Sequence, residues 1–455
     1  MPSLRFHLAL IAAKSGAKLI KMLGRNASHN PGVIALKICP DFMDQAPKAP
    51  LAICVIGTNG KTTVSNLLTD ALIADGKRVV SNRTGSNIVP GCTTNLINSL
   101  NWMGKCRVDA AVYEVDERAS RLILPHIKPD YLVVTNLFRD SLKRNAHPDY
   151  IFSIIDTYCP DTTKLILNAD ELCCSMLKPN NQRTFYGIGK LPTDLTLSIN
   201  IVTDYSVCPN CGTKLTYDYL RYHHIGYAQC ENCGFHSQDA QYLASNVDYE
   251  NKTLTITHNG EEMQYPLISD VLFNIYNEVT VITTLLELGL PKERVYEMVE
   301  KIHVPDSRLN HTVVNGVKVV QAMSKGQSCI SSCRTFDFVS TQPGKKAVVL
   351  AMDDYYDRKK SVEYIGWIYD VDYEVLNRED VVQVVATGPR CYDHKVRLLL
   401  AGVPEERIVC AEDELAGMDL VDTTAADSVY ILYDTSTYDL SCKMKEKLLK
   451  RLEAK

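Results

Sequence analysis

The chain has 455 residues, of which 45% are hydrophobic and 23% are charged, and this balance excludes a largely disordered protein. One ordinary hydrophobic core does not accommodate this length, so two or three domains are expected. The formal net charge of -5 at pH 7 provides no overall field that attracts a polyanion, so no nucleic-acid partner is predicted.

The 16 cysteines are scattered, and several fall within apolar, strand-like runs, as Cys54 and Cys410 do. Cysteines in such runs are usually buried and act as small hydrophobic residues, as expected for a protein in a reducing cytoplasm. The apolar stretch at residues 7–13 is short and precedes Lys14, so no secretory signal is predicted. Apolar runs long enough to span a membrane are also absent from the sequence.

The first predicted element is a helix over residues 4–23, in which apolar residues recur at helical spacing. Basic residues stand between them: Arg5, Lys14, Lys18 and Lys21. A packing helix with one solvated face is the favoured interpretation, and peripheral contact with a membrane surface is the alternative. Residues 45–50 contain two prolines, so residues 1–48 are predicted to form a helical segment and linker.

Strand-like and helical segments alternate from Leu51 to about residue 200, which is the pattern of a doubly wound parallel sheet. A second alternating series begins near residue 312. Its predicted strands are residues 317–322, 346–352, 381–387, 407–410 and 428–433. We therefore predict an α/β protein with a central domain over residues 49–311 and a smaller, Rossmann-like α/β domain over residues 312–455.

A glycine turn follows the first predicted strand and opens a helix. Its residues are Gly57, Thr58, Asn59, Gly60, Lys61, Thr62 and Thr63. Backbone N–H groups and the dipole of a helix N-terminus both favour phosphate oxygens at such a turn. All seven residues are predicted to bind ATP, with Lys61 as a catalytic residue at the β/γ-phosphates and Thr62 as a Mg²⁺ ligand. The strict phosphate-loop pattern fails at one position, because Val55 stands where its first glycine belongs.

Polar side chains follow the next two predicted strands. Glu114 ends the apolar run 110–114 and is the first choice for a catalytic, Mg²⁺-binding carboxylate. For Asp116 and Glu117, a solvated strand end is an equally good interpretation. The strand at residues 131–135 delivers further groups to the same edge of the sheet. These groups are Asn136, Arg139 and Asp140.

Two C-x-x-C pairs lie in an insert at about residues 204–237, separated by 18 residues. They are Cys208 with Cys211 and Cys230 with Cys233. Four converging thiolates complete the tetrahedral shell of a structural Zn²⁺ site, so the insert is predicted to be a zinc ribbon. A closed shell leaves no position for a substrate, and we expect a role in folding or docking. The cations between the cysteines, Lys214 and Arg221, are too few for a nucleic-acid surface.

The loop at residues 57–63 resembles the signature of the Mur ligase and folylpolyglutamate synthase superfamily. With the four-cysteine insert and the smaller last domain, essentially the full length is similar to the MurT family of synthetase subunits. The stretches that carry this resemblance are residues 81–87, 114–117, 136–140, 224–227 ahead of the second cysteine pair, and 367–370.

The resemblance implies an ATP-dependent ligase that phosphorylates the α-carboxylate of D-glutamate in the lipid II stem peptide. Ammonia from a GatD-type glutaminase subunit would then displace the phosphate and form the amide of D-isoglutamine. It also implies a cytoplasmic heterodimer at the inner face of the membrane, where lipid II lies.

Further site residues follow from the resemblance. MurT-type subunits contribute an aspartate to the glutaminase Cys-His pair, and Asp370 is the candidate by motif position, with a strand-edge or capping role equally good. Asn274 and Asn277 begin a helix where the superfamily places asparagines near the nucleotide, and Asn274 is expected either to contact adenine or to cap the helix. Arg308 is expected to contact phosphate. The resemblance also implies the candidate substrate-site residues, which are Asn87, Asn136, Arg139 and Asp140.

The sequence departs from the superfamily patterns at Ser307, at Asn310, and over residues 323–328 and 352–360. Ser141 stands where the superfamily has a histidine, so a histidine-bound second metal is not expected. The alternatives are a single-chain ligase that adds an amino acid to a peptide or folate-like acceptor, a paralogue that amidates another carboxylate, and an ATP-binding scaffold or regulator.

Overall fold

The computed structural model describes residues 2–83, 86–140, 147–301, 309–324, 327–352 and 365–454, with the side chains of residues 309 and 310 excepted. The chain divides into two compact units. The first comprises residues 1–138, 147–198 and 204–304, and the second comprises residues 139–146, 199–203 and 305–455. The predicted limits 1–48, 49–311 and 312–455 stay a prediction.

The first unit holds helices on both faces of a large sheet. Its helices are α1 (Leu4–Met22), α2 (Asn30–Ile38), α3 (Phe42–Gln45), α4 (Lys61–Ala74), α5 (Val89–Ser99), α6 (Leu124–Ile127), α7 (Pro148–Tyr158), α8 (Leu172–Ser175), α9 (Leu272–Glu287) and α10 (Lys292–Glu300). Its strands are β1 (Leu51–Ile56), β2 (Val79–Ser81), β3 (Ala110–Glu114), β4 (Tyr131–Val134), β5 (Lys164–Asn168), β6 (Arg183–Ile188), β7 (Thr216–Tyr222), β8 (Ile225–Gln229), β9 (Tyr242–Asp248), β10 (Thr253–His258) and β11 (Glu261–Pro266).

The described part of this unit contains a nine-stranded sheet in the order β11-β10-β9-β6-β5-β4-β1-β3-β2. Strands β1 to β6 and β9 run parallel, whereas β10 and β11 extend one edge as antiparallel strands. After β1 the chain adds β2 and β3 on one side of this strand, and then β4, β5 and β6 on the other side. The strand order therefore reverses at β1. Ligands bind at such points, beyond the carboxyl ends of the strands.

The central strands β1 and β4 consist of buried apolar residues, as expected for strands covered on both faces. Cys54 is fully buried in β1, which confirms its interpretation as a small core residue, and burial raises the pKa of its thiol well above the ordinary value. Cys410 is only half-buried. Strands β7 and β8 form a separate antiparallel pair within the insert, joined by a turn at His223 and His224.

The second unit is a smaller α/β layer structure. Its strands are β12 (Leu309–Val314), β13 (Val317–Met323), β14 (Lys346–Ala351), β15 (Val381–Thr387), β16 (Ile408–Ala411) and β17 (Ser428–Tyr433). Its helices are α11 (Cys329–Thr341), α12 (Gly366–Tyr369), α13 (Cys391–Leu400), α14 (Glu414–Gly417) and α15 (Tyr438–Glu453).

The sheet order in this unit is β12-β13-β17-β14-β15-β16, and all pairs are parallel except β12 with β13. The five strands predicted from apolar runs are confirmed to within one residue at each end. The sequence pattern does not predict β12, because Asn310, His311 and Thr312 interrupt its apolar run. No helix in the described ranges has both the length and the hydropathy needed to cross a lipid bilayer.

Candidate functional site

The glycine loop between β1 and α4 adopts a conformation that two glycines make possible. Gly57 has a φ of 148° and Gly60 a φ of 86°. A Cβ on Gly57 would lie 2.0 Å from Thr135 Oγ1, and a Cβ on Gly60 would lie 2.2 Å from Asn277 Oδ1. Both the backbone conformation and the lack of space therefore require glycine at these positions.

The segment after β4 holds this loop in place. Thr58 N–H donates to Asn136 O at 2.8 Å, and Asn59 N–H donates to Asn136 Oδ1 at 2.9 Å. The Asn136 amide returns a bond to Asn59 O at 3.0 Å, and Thr135 Oγ1 donates to the same oxygen at 2.6 Å. Phe138 N–H donates to the Thr58 hydroxyl at 2.9 Å. Asn136, predicted to contact substrate, is thus used to fix the loop.

The start of α4 can offer backbone N–H groups to an anion, because the first N–H groups of a helix have no intrahelical acceptor. Lys61, Thr62 and Thr63 supply these groups, and the Thr62 side chain is exposed. Thr58 and Asn59 direct their N–H groups at protein oxygens instead. The backbone N–H groups of these two residues are therefore engaged within the protein, and their contacts with nucleotide stay a prediction.

Lys61 is paired with Glu117. Lys61 Nζ lies 2.9 Å from Glu117 Oε1 and also donates to the carbonyl of Gly57. The two side chains are only 12% and 5% exposed, so Glu117 is not the solvated strand end that the sequence also allowed. The pair orients the ammonium group back over the glycine loop. A partner lost from such a pair leaves an uncompensated buried charge.

Glu114 and Asn87, predicted separately, are brought together at the end of β3. Asn87 Nδ2 donates to Glu114 Oε1 at 3.1 Å. Asn82 accepts from Glu114 N–H at 2.8 Å and donates to Glu114 O at 2.9 Å, so the loop after β2 is fixed to the strand. Asp116 is different, because its carboxylate accepts the backbone N–H groups of residues 118 and 119 and caps the following turn.

The donor set at this edge suits a hard cation. The Glu114 carboxylate is half-buried, and the Thr62 hydroxyl is exposed in the first turn of α4. Oxygen ligands of this kind are those that Mg²⁺ prefers, together with waters and substrate phosphates. The residues present therefore fit the ion that the loop predicts.

Helix α9 contributes Asn277 rather than Asn274 to the loop. The Asn277 amide is buried and lies against Gly60. Asn274 Nδ2 donates to Ser269 Oγ at 3.1 Å, at the start of the helix. The N-cap of α9 is Val271, with no side-chain cap hydrogen bond, so the capping interpretation of Asn274 is wrong. Its contact with adenine stays a prediction.

Glu278, the next residue on α9, is buried with a half-satisfied carboxylate. Its Oε2 accepts from Ile268 N–H at 3.1 Å, whereas its Oε1 has no hydrogen-bond partner within the described ranges. Burial raises the pKa of this carboxyl group from 4.5 to about 8. The group is therefore protonated at neutral pH in the folded protein.

We expect Glu278→Gln to flatten the pH dependence of stability. Because the folded-state pKa is raised, the contribution of Glu278 is fully present below the unfolded pKa of 4.5 and is lost as pH rises towards about 8. The free energy of unfolding should fall by as much as ~4 kcal/mol over this pH range. Urea unfolding at about pH 5 and about pH 8 should show this decrease in wild type and not in Glu278→Gln. Glu293→Gln, which changes an exposed carboxylate on α10, should keep the wild-type slope; equal slopes in all three proteins would contradict the assignment.

The four cysteines of the insert converge. Their sulfur atoms all lie within 4.8 Å of one another, with 3.5 Å between Cys208 and Cys233 and 3.5 Å between Cys211 and Cys230. Zn–S bonds of about 2.3 Å in a tetrahedron would separate the sulfurs by about 3.8 Å. The chemistry and the spacing of this cluster therefore fit Zn²⁺.

The two halves of the cluster have the same backbone fold. Gly212 N–H donates to Cys208 O at 2.9 Å, and Gly234 N–H donates to Cys230 O at 3.0 Å. The two glycines have φ angles of 72° and 71°. Each C-x-x-C-G turn thus directs its two thiolates inward before glycine reverses the chain.

The insert also contacts the segment after β4 that holds the glycine loop, through a buried pair that the sequence did not reveal. His224 Nε2 lies 2.9 Å from Glu171 Oε1, and both side chains are fully buried. Glu171 Oε2 accepts from Leu137 N–H at 3.1 Å, and the His224 ring lies 4.6 Å from the Phe138 ring. The segment that holds the glycine loop is therefore itself supported by the hairpin of the insert.

Arg221, in β7, is fully engaged inside the first unit. Its guanidinium lies 2.7 Å from Asp170 Oδ2 and 3.2 Å from Asp194 Oδ1, and it donates to Ile188 O at 2.7 Å. The side chain is only 1% exposed. One of the two cations between the cysteine pairs is thus structural and is not presented to a polyanion.

In the second unit, Asp370 ends α12 and faces Arg139. Arg139 Nη1 lies 3.6 Å from Asp370 Oδ2, and both side chains are partly exposed. Cys333 Sγ contacts Asp370 O at 3.9 Å. A carboxylate that stays accessible can meet a partner protein, whereas Asp140, predicted nearby, is buried.

The chain after Asp370 is anchored by a buried histidine. His394 Nε2 contacts Met352 O at 3.1 Å, and His394 Nδ1 contacts the hydroxyl of Tyr373. Burial lowers the pKa of His394 to about 4, so the ring is neutral. Nε2–H then donates to the carbonyl, and Nδ1 accepts from Tyr373, which fixes the turn that follows Asp370.

Some predictions fall outside the described residues. These are Arg308, Ser307 and Ser141, most of residues 352–360, two residues of 323–328, and the side chain of Asn310.

Comparisons with known proteins agree with this geometry. Residues 55–206 match the family model of the Mur ligase middle domain, and residues 330–438 match that of the MurT ligase C-terminal region. The MurT subunit of lipid II isoglutaminyl synthase (glutamine-hydrolyzing) from Staphylococcus aureus (strain COL) is 29% identical, over 89% of this chain and 89% of its own. The corresponding subunit from Streptococcus pneumoniae is 26% identical, over 99% and 98%.

Among solved structures, a pseudomurein peptide ligase type C from Methanothermus fervidus is similar with a TM-score of 0.67. It is 17% identical, and the match covers 90% of this chain and 81% of that chain. At this identity the likeness shows a shared fold.

Proposed function

Because the chain belongs to the Mur ligase family, has its α/β fold and carries a MurT-type C-terminal region, we propose that it is the ATP-dependent subunit of a glutamine-hydrolysing lipid II isoglutaminyl synthase. The observation that carries the proposal is the glycine loop with Lys61, at the point where the strand order of the sheet reverses. Relatives named for this activity match nearly the whole chain.

The reaction has two steps. The γ-phosphoryl group of ATP is transferred to the α-carboxylate of D-glutamate in the stem peptide, which gives ADP and an acyl phosphate. The nitrogen of ammonia then forms a bond to the carbonyl carbon, and phosphate leaves with the electrons of the broken C–O bond. Activation is needed because a free carboxylate is a poor electrophile until phosphate supplies a leaving group.

The residues of the loop have distinct roles in this scheme. The N–H groups at the start of α4 and the Lys61 ammonium stabilise charge on the transferring phosphoryl group. Glu117 positions Lys61 through their ion pair. Mg²⁺, which Mur ligases use, would be held by Thr62 and Glu114 and would neutralise charge on the phosphates.

The remaining assignments concern the acceptor and the partner. Asn87, Arg139 and Asp140 stay candidates for the acceptor site, and a GatD-type glutaminase is the proposed source of ammonia. The four cysteines are proposed to bind Zn²⁺, which would hold the insert folded without taking part in the chemistry. The proposed setting is the cytoplasm, at the membrane face where lipid II is reached.

Release of phosphate tests this function most directly. With ATP, Mg²⁺, lipid II and ammonia, the isolated chain should release phosphate and amidate the stem peptide, and glutamine should replace ammonia only with the co-expressed glutaminase. Incorporation of a free amino acid without glutamine or ammonia would instead identify a single-chain ligase. ATP hydrolysis that no acceptor changes would identify a scaffold.

We expect Asp370→Asn to separate the two nitrogen sources. If Asp370 completes the partner's Cys-His pair, glutamine-dependent amidation should fall by ~100-fold or more, because a misoriented histidine is a poor base. Ammonia-dependent amidation should remain within about twofold of wild type, since Asp370 lies outside the glycine loop and asparagine keeps a side-chain oxygen that can accept from Arg139. Asp393→Asn, a partly exposed acid on α13 of the same unit, is the matched control and should spare both reactions. Equal loss with both nitrogen sources would exclude the glutaminase role.

A further inference from the structure

Helix α1 has two apolar faces, of which only one is buried. Phe6, Ala9, Leu10 and Ala13 pack into the core of the first unit. On the opposite side of the helix, large apolar side chains are exposed: Leu4 (77%), Leu8 (55%), Ile11 (49%), Leu19 (60%) and Met22 (81%). At 100° per residue these five positions fall within an arc of about 80°. An exposed apolar stripe of this kind, interrupted at Ser15, marks an interaction surface.

The loop after α5 extends this stripe with an aromatic residue. Trp102 and Met103 are 45% and 67% exposed. The ammonium groups of Lys18 and Lys14 lie 5.0 and 5.8 Å from the centroid of the Trp102 ring, so the loop adjoins α1 on its basic side. Tryptophan with flanking lysines is typical of the boundary between hydrocarbon and water. We call Leu4, Leu8, Ile11, Leu19, Met22, Trp102 and Met103 together the α1 face.

Apart from Asp41, whose carboxylate interacts with Arg5, the charged residues among the first 41 are of one sign. Residues 1–40 contain no Asp or Glu, although the whole chain has a net charge of -5. Their basic residues are Arg5, Lys14, Lys18, Lys21, Arg25 and Lys37. Lys105 and Arg107 are exposed close to Trp102 in the sequence. An anionic surface is therefore the complementary partner.

We propose that the α1 face is a docking surface for an anionic lipid bilayer, with α1 lying in the headgroup plane. The stripe enters the boundary between headgroups and acyl chains, and the flanking cations contact lipid phosphates. A second copy of the chain is a poor occupant, because pairing this face with itself would bring like charges together. The proposal does not depend on the proposed function, although a lipid-linked acceptor would lie at the same surface.

Co-sedimentation of the full chain with vesicles tests the proposal in the absence of any substrate. One set of vesicles contains phosphatidylcholine alone, and the other contains phosphatidylcholine and phosphatidylglycerol in equal parts. The chain should pellet with the anionic vesicles and far less with the neutral ones, and added salt should release it.

Two sets of variants separate the apolar and the ionic contributions. The triple variant Leu8→Gln, Ile11→Gln, Leu19→Gln should bind anionic vesicles at least ~10-fold more weakly. Lys18→Gln and Lys21→Gln should each weaken binding about fivefold. The matched control Leu399→Gln, Leu400→Gln changes exposed leucines of α13 and should bind as wild type does.

The altered side chains of the stripe are exposed, so the melting temperature and the ATP hydrolysis rate should not change. Measuring both quantities for each variant checks for misfolding. Three outcomes would overturn the proposal. They are no binding of wild type to anionic vesicles, equal binding by the triple variant, and a triple variant that loses only its association with a protein partner. The last result would assign the α1 face to a protein instead of a bilayer.

Discussion

Lys61→Ala is expected to lower ATP-dependent phosphate release by at least ~100-fold, which would be among the largest effects of any single substitution in this chain. The ammonium group lies over the glycine loop, held by Glu117 at 2.9 Å and by the carbonyl of Gly57. In the proposed reaction it would supply positive charge to the transferring phosphoryl group, and the backbone N–H groups at the start of α4 cannot replace a full charge. Single-turnover assays of acyl-phosphate formation with saturating ATP measure the chemical step itself.

A second variant distinguishes catalysis from folding. Lys61→Ala leaves the Glu117 carboxylate buried and unpaired, which costs roughly 3 to 5 kcal/mol of stability. Adding Glu117→Gln removes that charge, so the double variant Lys61→Ala, Glu117→Gln should regain much of the stability and stay inactive. Recovery of activity together with stability would show that Lys61 acts only through the fold, and normal turnover by Lys61→Ala would rule out the phosphate contact.

Loss of the proposed zinc is expected to have the largest effect on stability. Cys230→Ser should remove a ligand from the four-sulfur cluster, release the metal and unfold the insert, because binding of structural Zn²⁺ supplies on the order of 10 kcal/mol of folding free energy. Metal analysis should find zinc in wild type and not in Cys230→Ser. Cys106→Ser, which lies outside the cluster, should keep the metal and the wild-type melting temperature. Wild-type protein that is stable and free of zinc after purification in zinc-containing medium would contradict the assignment.

Loss of the zinc should also weaken the interaction with ATP. Since His224 contacts Glu171, and Glu171 accepts from Leu137 N–H beside the glycine loop, unfolding of the insert should raise KM for ATP. His224→Gln breaks this contact and leaves the four cysteines intact. It should raise KM for ATP several-fold with normal zinc content, because a buried carboxylate loses a hydrogen-bond partner. An unchanged KM in both variants would mean that the insert and the loop are independent.

Some features of the molecule could be predicted from the sequence because the residues that form them are neighbours in the chain. The glycine loop is predicted by the succession of a strand, a turn and a helix within thirteen residues, 51–63. Paired C-x-x-C spacings indicate a cluster whatever the surrounding fold. The strands of the second unit are apolar runs with buried faces, and five of them are confirmed. Local pattern alone carries these features, as it depends on neighbours a few residues apart.

Tertiary structure decided which side chains meet. Three acids stand within four residues at the end of β3, and the pairing of β1 with β3 brings Glu117 to Lys61, while Glu114 contacts Asn87. The contact of Asn277 with Gly60, and that of His224 with Glu171, join residues more than fifty positions apart. Exposure of the second apolar face of α1 likewise appears only once the first face is buried. Sequence thus determined where phosphate and metal chemistry can occur, because those motifs are local; the partners of each charged group follow from strand order and helix packing, which no short stretch of sequence encodes.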